Sequence, residues 1–533
     1  METSELQLPS SVAEIIRRQA KATPDSIALT YVDSVNELAS SIKFTYRELD
    51  TKSSRTANAL IEAGVKAGDR VAVLAHNNPL FFEVAFGANK IGAIVVGLNW
   101  RLAPIEIEAI LLNADPSLLI LDDGLTELIT SSARESFQQQ QIKMSSSWDF
   151  LVSEASDLDP MIATSPEDIA FILYTSGTTG VPKGVQLSNR NMSYSAWISG
   201  SAYNFSAAST NLVAMPLFHV GGMGYGLSAF FHGGHTVLLK EVEPKLLVSS
   251  LEFFQITHVF LVPAVLSMIL DTAHIQDRDF STLELLVYGA APISESLLEN
   301  ALQLLGCNFL QAYGMTETAG TIVTLPPKDH DLRGNENKRL RSCGKALPWV
   351  ELRIVDPKTI SNKVVVDQEI GEVGEIWTRS EQNTPGYRNN ELATNQAITE
   401  DGWLRTGDAA YIDESGYVFL FDRFKDMIVT GGENVYPAEI ENVLASHSQV
   451  AEVAVIGVPD ERWGETIKAI VVSRSGEIID SENLVDFCRE QLARYKTPTS
   501  FDFVNELPRN ASGKILKKDL KAPYWVESQR QIS

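Results

Sequence analysis

The sequence predicts an α/β protein. A large N-terminal region of α/β layers ends in a small β-barrel-like piece, and a smaller α+β unit follows it. Two observations predict this. Through the first half, short β-branched runs alternate with segments of helical period, the pattern of layered α/β folds. After about residue 340 the texture becomes short alternating strands divided by Gly turns. At 533 residues the chain is also too long for one hydrophobic core, at about 100 to 200 residues per domain.

The elements follow in order. Ser10 and Ser11 before Val12, with Glu14 as the reciprocal acid, open a helix that runs to about Ala22. The runs RVAVLAH from Arg70 and IVVGL from Ile94 read as buried parallel strands, with helical character over 81–91 between them, a βαβ unit. Further strands are expected at SLLIL (Ser117), IAFILYT (Ile169), TVLL (Thr236), HVFLV (His258) and LELLVYG (Leu283). Several run straight into Gly or Pro turns, where ligands of open α/β sheets collect. ELRIVD (Glu351), GEIWT (Gly374) and GYVFLFD (Gly416) form the antiparallel piece. The charged stretch 422–426 marks a boundary, giving units 1–422 and 423–533. The second holds VAVIGV (Val453), IKAIVVS (Ile467) and a helix over 484–492. Gln138 to Gln141 is a local low-complexity spot that reads as a helix end or surface loop.

Composition excludes several function classes. Apolar residues are 44% and charged residues 21%, which rules out a disordered or collagen-like chain. The net charge of −24 repels phosphate backbones, so no nucleic-acid partner is expected. Cys307, Cys343 and Cys488 lie far apart without a CxxC pair, reading as reduced thiols rather than a disulfide framework or zinc ribbon. The nearest candidate for a membrane span, 81–100, is broken by Glu83, Asn89 and Lys90. No transmembrane segment, secretory leader or SKL terminus is visible, so a cytoplasmic protein is expected.

The most specific signal is YTSGTTGVPKG at 174–184. Hydroxyls from Thr175, Ser176, Thr178 and Thr179, backbone N–H groups at Gly177 and its neighbours, and the cation of Lys183 all suit a polyphosphate. It is not a Walker A loop, because no Gly-Lys-Ser/Thr triplet closes it, and no GxGxxG follows a strand.

This loop resembles the phosphate-loop signature of the adenylate-forming enzymes: acyl-CoA synthetases, firefly-type luciferases and peptide-synthetase adenylation domains. Further signatures recur in order: PLFHVGG (Pro216), YGAAP (Tyr288), QAYGMTET (Gln311), GWLRTGD (Gly402), DRFKDMIVTGGENVYPAEIE (Asp422) and PRNASGKI (Pro508). The resemblance covers nearly the whole chain. It implies a mobile C-terminal domain and two half-reactions using ATP, Mg²⁺, a small-molecule carboxylic acid and coenzyme A. A homodimer is one assembly compatible with such a chain.

Roles then carry over by motif. Lys514 matches the family's catalytic lysine, a cation for two negatively charged reactants. Glu317 matches the metal glutamate, a hard carboxylate suited to Mg²⁺, with Thr175 as a companion hydroxyl. Thr316 joins Lys514 and His219 in the catalytic set. Asp408 would accept from the ribose hydroxyls. Tyr313 would stack on adenine, with Gly289, Ala290, Ala291, Gln311, Ala312 and Gly314 shaping the space around it. Arg423 would reach the ribose, and Lys425 matches the hinge. After adenylation the small domain would rotate, withdrawing Lys514 and presenting Gly431, Gly432 and Asn434 to a pantetheine arm.

His219 matches the acyl-pocket gate. Adenylation domains for amino acids carry an aspartate there, so an α-amino acid is disfavoured. The luciferase Lys-Gly-Tyr-Gln segment reads Gly431-Gly432-Glu433-Asn434 here, and that version is most similar to bacterial fatty-acyl-CoA ligases. Arg388 and Ala312 depart from common family residues and leave the substrate open. Glycines 221, 222, 224 and 226 suggest an unobstructed pocket wall, although helix packing would explain them equally. A medium or long fatty acid is the first expectation and an aromatic acid of the cinnamate or benzoate type the second. A silent nucleotide- or acyl-binding paralogue is the alternative from another class, opposed by the retention of Lys183, Glu317, Asp408 and Lys514.

Overall fold

A computed structural model describes residues 8–136, 142–175, 182–291, 293–330, 337–360, 365–423, 426–430, 433–460, 463–474, 479–510 and 513–525. The expected opening helix is Val12–Ala22, and Ser11 Oγ accepts the Glu14 N–H at 3.3 Å. The expected βαβ unit is Arg70–Leu74, helix Pro79–Lys90 and Ile94–Gly97, the two strands parallel.

Two sheets carry the N-terminal region. In the larger, Leu285–Gly289 lies between Asn308–Met315 and His258–Leu261, parallel to both. The sheet continues through Thr210–Val213, His235–Leu239 and Ile27–Val32, with antiparallel strands at its edges. In the smaller, Ile169–Thr175 pairs in parallel with Ile94–Gly97 and antiparallel with Lys183–Ser188. Helices fill the layer between them. Phe82 on Pro79–Lys90 meets Phe230 on Val220–Phe231 edge to face, ring centroids 5.0 Å apart.

A buried charge cluster pins the first helices together. The Lys90 ammonium, with no exposed side-chain surface, sits 2.6 Å from Asp50, 2.7 Å from Ser54 and 3.1 Å from Asp159. Arg17 grips the same Asp159 through two 2.8 Å bonds. Each buried charge is thus paired, the condition under which burial is tolerated.

The antiparallel piece is a four-stranded sheet: Glu351–Val355, Gly374–Arg379, Leu404–Ile412 and Val418–Arg423. Its last strand is bridged to Gly344 and so to the edge of the larger sheet. That strand continues through Arg423, one residue past the expected boundary. The C-terminal unit wraps helices around Val450–Asp460, Gly464–Ser473 and Ser500–Val504. Its helix runs Ser481–Gln491. Phe421 and Tyr436 meet across the junction, centroids 4.7 Å apart and ring planes tilted by 35°. No helix among the described residues is long and apolar enough to cross a membrane.

Candidate active site

The site forms where strands of both sheets end. Thr175 and Lys183 are register partners, so the two strands hold the ends of the phosphate loop side by side. Ser176, Gly177, Thr178 and Thr179, within that loop, lie outside the described residues. So do Lys425, Gly431 and Gly432, and the side chains of Arg423 and Asn434.

Opposite, Gly289 and Ala312 are register partners on adjacent strands of the larger sheet. A Cβ on Gly289 would stand 2.1 Å from the Ala312 carbonyl oxygen, so glycine there permits the close pairing. The next residue, Ala290, holds φ +64, an αL conformation that a non-glycine residue adopts at a cost and that clusters at functional sites. Gln311 and Gly314 belong to the neighbouring strand, directly before Thr316 and Glu317 in a tight turn.

Glu317 is 7% exposed, and its Oε1 accepts the Tyr387 hydroxyl at 2.9 Å. Its backbone carbonyl accepts from Thr384 N–H at 2.8 Å, and Thr384 Oγ1 donates to Gln186 O on the Lys183–Ser188 strand. Lys183 Nζ lies 5.1 Å from the Tyr387 ring centroid. Tyr387 therefore links the phosphate-loop lysine to the metal-type carboxylate. No periodicity or spacing in the sequence signalled this role.

Tyr313 and Asp408 meet across the junction with the antiparallel sheet, the phenol donating to Asp408 Oδ2 at 2.7 Å. Burial first, and the Asp408 charge second, push the Tyr313 phenol well above its ordinary value, keeping it a donor. The expected stacking residue thus also orients the expected ribose acceptor. Asp408 N–H is held in turn by Thr406 Oγ1 at 3.1 Å.

His219 caps the N-terminus of Val220–Phe231. Burial, with the Arg101 guanidinium nearby, lowers its imidazole to about 4, so it is neutral at pH 7. Its Nε2 is buried without a hydrogen-bond partner among the described residues. An unpaired neutral nitrogen suits a gate that orients a ligand better than a proton donor. Arg101, which sequence reasoning missed, lies near it, its guanidinium 4.1 Å from the Trp100 ring centroid.

Lys514 sits in a loop braced by Asn510, whose side chain accepts the Lys514 N–H at 2.8 Å and whose own N–H donates to Lys514 O. A Cβ on the preceding Gly513 would lie 3.2 Å from Val262 Cγ2 and 3.8 Å from Ala264 Cβ. The lysine loop is thus docked on the large unit where the His258–Leu261 strand passes into helix Pro263–Leu270.

These residues offer a divalent cation few ligands of their own. No cluster of three or more His, Cys, Asp or Glu side chains that could hold a metal occurs among the described residues. A single buried carboxylate at Glu317, with Thr175 near the phosphate loop, matches Mg²⁺, which is usually held by one or two carboxylates plus substrate phosphates.

Comparison with known proteins agrees. The AMP-binding enzyme family matches residues 16–388, and the AMP-binding enzyme C-terminal domain matches 439–514. The chain is 37% identical to a fatty acid–[acyl-carrier-protein] ligase, ScoC, of Streptomyces coeruleorubidus, covering 92% of this chain and 93% of that protein. It is 34% identical to a feruloyl-CoA synthase of an Amycolatopsis species, covering 95% and 98%. Among solved structures it is similar to o-succinylbenzoate CoA synthetase (MenE) from Bacillus subtilis in complex with its acyl-adenylate intermediate. The TM-score is 0.82 and the identity 31%, covering 95% of this chain and 97% of that one. From the paired ends of the phosphate loop, the turn carboxylate and the docked lysine loop, and from these matches, the chain belongs to the AMP-binding enzyme family, in the acyl-CoA synthetase branch of the adenylate-forming superfamily.

Proposed function

We propose that this protein is an AMP-forming acid–thiol ligase that joins a carboxylic acid to coenzyme A through an acyl-adenylate. The observation that carries the reading is the convergence of the Lys183–Tyr387–Glu317 link, the Tyr313–Asp408 pair and the Gly513–Lys514 loop on one pair of sheet ends.

In the first half-reaction a carboxylate oxygen attacks the α-phosphorus of ATP, forming a P–O bond while the α–β bridging bond breaks and pyrophosphate leaves. Lys183 and Lys514 offset the charge on both reactants, and Asp408, oriented by Tyr313, holds the ribose. Glu317, with Thr175 alongside, would hold Mg²⁺, which when bound would neutralise charge at the phosphates. In the second, the thiol sulfur attacks the acyl carbon, a C–S bond forms, AMP departs and the thiol proton passes to solvent. Rotation of the small unit would withdraw Lys514 and bring Gly431, Gly432 and Asn434 to the thiol arm.

For the acid, two of the glycines expected to open the pocket serve packing. A Cβ on Gly222 would stand 2.2 Å from Pro216 O, and one on Gly226 2.8 Å from Phe82 Cζ. The other two are also closely bounded: a Cβ on Gly221 would stand 3.2 Å from Phe260 Cε1, and one on Gly224 3.2 Å from Val220 Cγ2. The acid remains either a medium or long fatty acid or an aryl acid of the cinnamate or benzoate type. The test is a carboxylate panel scored for AMP and pyrophosphate, with coenzyme A and an acyl carrier protein as alternative acceptors. Acid-dependent AMP formation that requires coenzyme A supports the reading. ADP plus phosphate, or no turnover with any acid, overturns it.

A further inference from the structure

Along Leu404–Ile412 the pleat is broken in the middle. Burial alternates through Leu404, Arg405 and Thr406, and the alternation is lost at Gly407 and Asp408. The register shows why. On the neighbouring strand Trp377 pairs with Arg405 and Glu375 with Ala409, so residues 406–408 stand opposite Ile376 alone. Gly407 holds φ +74 within this bulge, a conformation that favours glycine. Bulges re-aim side chains, and this one turns Asp408 toward Tyr313, whose phenol reaches it at 2.7 Å.

A bulge takes backbone groups out of the ladder, and those that are buried must find other partners. Here side chains supply them. Thr406 Oγ1 donates to Ile376 O at 2.7 Å and accepts the Asp408 N–H at 3.1 Å. Glu375 Oε1 accepts the Gly407 N–H at 3.1 Å. Glu375 is 5% exposed, and its other oxygen, Oε2, accepts from Trp377 Nε1 at 2.9 Å and from Arg405 Nε and Nη2 at 3.2 and 3.1 Å. Burying a carboxylate is costly even when it is paired, and an ordinary ladder needs none. The donors gathered on Oε2 stop the carboxylate from turning and leave Oε1 fixed on Gly407.

We infer that Glu375, with Thr406, is a positioning residue for nucleotide binding: the two hold the bulge that aims the Asp408 carboxylate at the ribose hydroxyls. The inference rests on the ligase reading, in which Asp408 accepts from the ribose, and adds the residues that place it. Glu375 acts on the backbone one residue before Asp408, so its loss would misdirect that carboxylate without removing it.

The test measures equilibrium binding of ATP and of 2′,3′-dideoxy-ATP to the full chain, with Mg²⁺ and without any acid, by titration calorimetry. The two nucleotides differ only in the ribose hydroxyls. The wild type is expected to bind ATP at least about tenfold more tightly, the scale of hydrogen bonds to a charged group. In Asp408→Ala that ratio should approach one. Glu375→Asp keeps a charge for Arg405 but draws the carboxylate back from Gly407. In it the ratio should fall at least about threefold, with binding of 2′,3′-dideoxy-ATP unchanged. Thr406→Val leaves the Glu375 charge in place and should lower the ratio in the same way. Melting temperatures identify which variants fold. A merely structural role would weaken both nucleotides alike. An unchanged ratio in Glu375→Asp, or in Thr406→Val where the first variant does not fold, overturns the inference. A wild type that binds the two nucleotides equally overturns it as well, together with the ribose role of Asp408. The ligase reading fails separately, when no acid of the panel yields AMP, because this binding requires no acid.

Discussion

The hydroxyl of Tyr387 donates to Oε1 of Glu317 at 2.9 Å, joining two residues that approach the site from separate segments. The bond fixes the direction of a carboxylate that occupies a tight turn with little exposed surface. Groups that orient a metal-type carboxylate are usually worth 10- to 100-fold in metal affinity. Tyr387→Phe is therefore expected to raise the Mg²⁺ concentration for half-maximal pyrophosphate release about tenfold. A Mg²⁺ titration of the variant checks this, and an unchanged midpoint would separate Tyr387 from the metal.

Tyr313→Phe removes the 2.7 Å bond to Asp408 and keeps the ring. A hydrogen bond to a charged group contributes about 1.5 to 3 kcal/mol, so the KM for ATP should rise at least about tenfold, with less change in kcat. Steady-state kinetics with ATP varied would read the split. A pure kcat loss would contradict the positioning role.

Lys514→Ala should lose at least about 10²-fold in acyl-adenylate formation, the scale of one preorganised electrostatic contact. Thioester formation from supplied acyl-adenylate and coenzyme A should survive, because the lysine loop is expected to leave the site for that step. Gly432→Leu is expected to do the reverse, sparing pyrophosphate release and slowing thioester formation. Each half-reaction is assayed separately, and equal damage to both in both variants would refute the alternation.

Asp159→Asn should destabilise the large unit by about 3 kcal/mol, since Lys90 and Arg17 would lose a shared partner in a largely buried setting. Its carboxyl lies well below the usual carboxylate range: burial opposes the shift, and the Arg17 and Lys90 contacts overcome it. The stabilisation it contributes is present above the unfolded value near 3.8 and is lost as pH falls below it. Thermal unfolding of wild type and variant at neutral pH measures the difference.

Acid sensitivity should begin earlier, through the buried histidines. Burial lowers His219, His235 and His330 to about 4 from the ordinary 6.5. In the folded state they stay neutral where the unfolded chain binds protons, so stability falls as pH drops from 6.5 toward 4. Each group contributes up to about 1.4 kcal/mol per pH unit over that window. At His330 burial outweighs the Nδ1–H bond to Pro326 O, which favours the charged form, and the neutral ring accepts at Nε2 from Tyr288, both contacts at 3.0 Å. Melting temperatures that stay flat between pH 6.5 and 4.5 would contradict this.

Local chemistry in the sequence determined the element order, the capped first helix, the phosphate-loop composition and the ordered motifs, because caps, periodicity and turn residues act over a few positions. The Leu285–Gly289 strand was legible as an apolar run ending in Gly. That its Gly289 must lack a Cβ came only from pairing with Ala312, a contact between strands. Likewise GGMGYG reads as an open wall in one dimension. In the fold, Gly222 and Gly226 face backbone and Phe82, and Gly221 and Tyr225 face Phe260. Tyr387 and Arg101 were missed because their partners lie far along the chain. Which residues a side chain meets across layers is set by sheet order and helix packing, and no local periodicity encodes those distances.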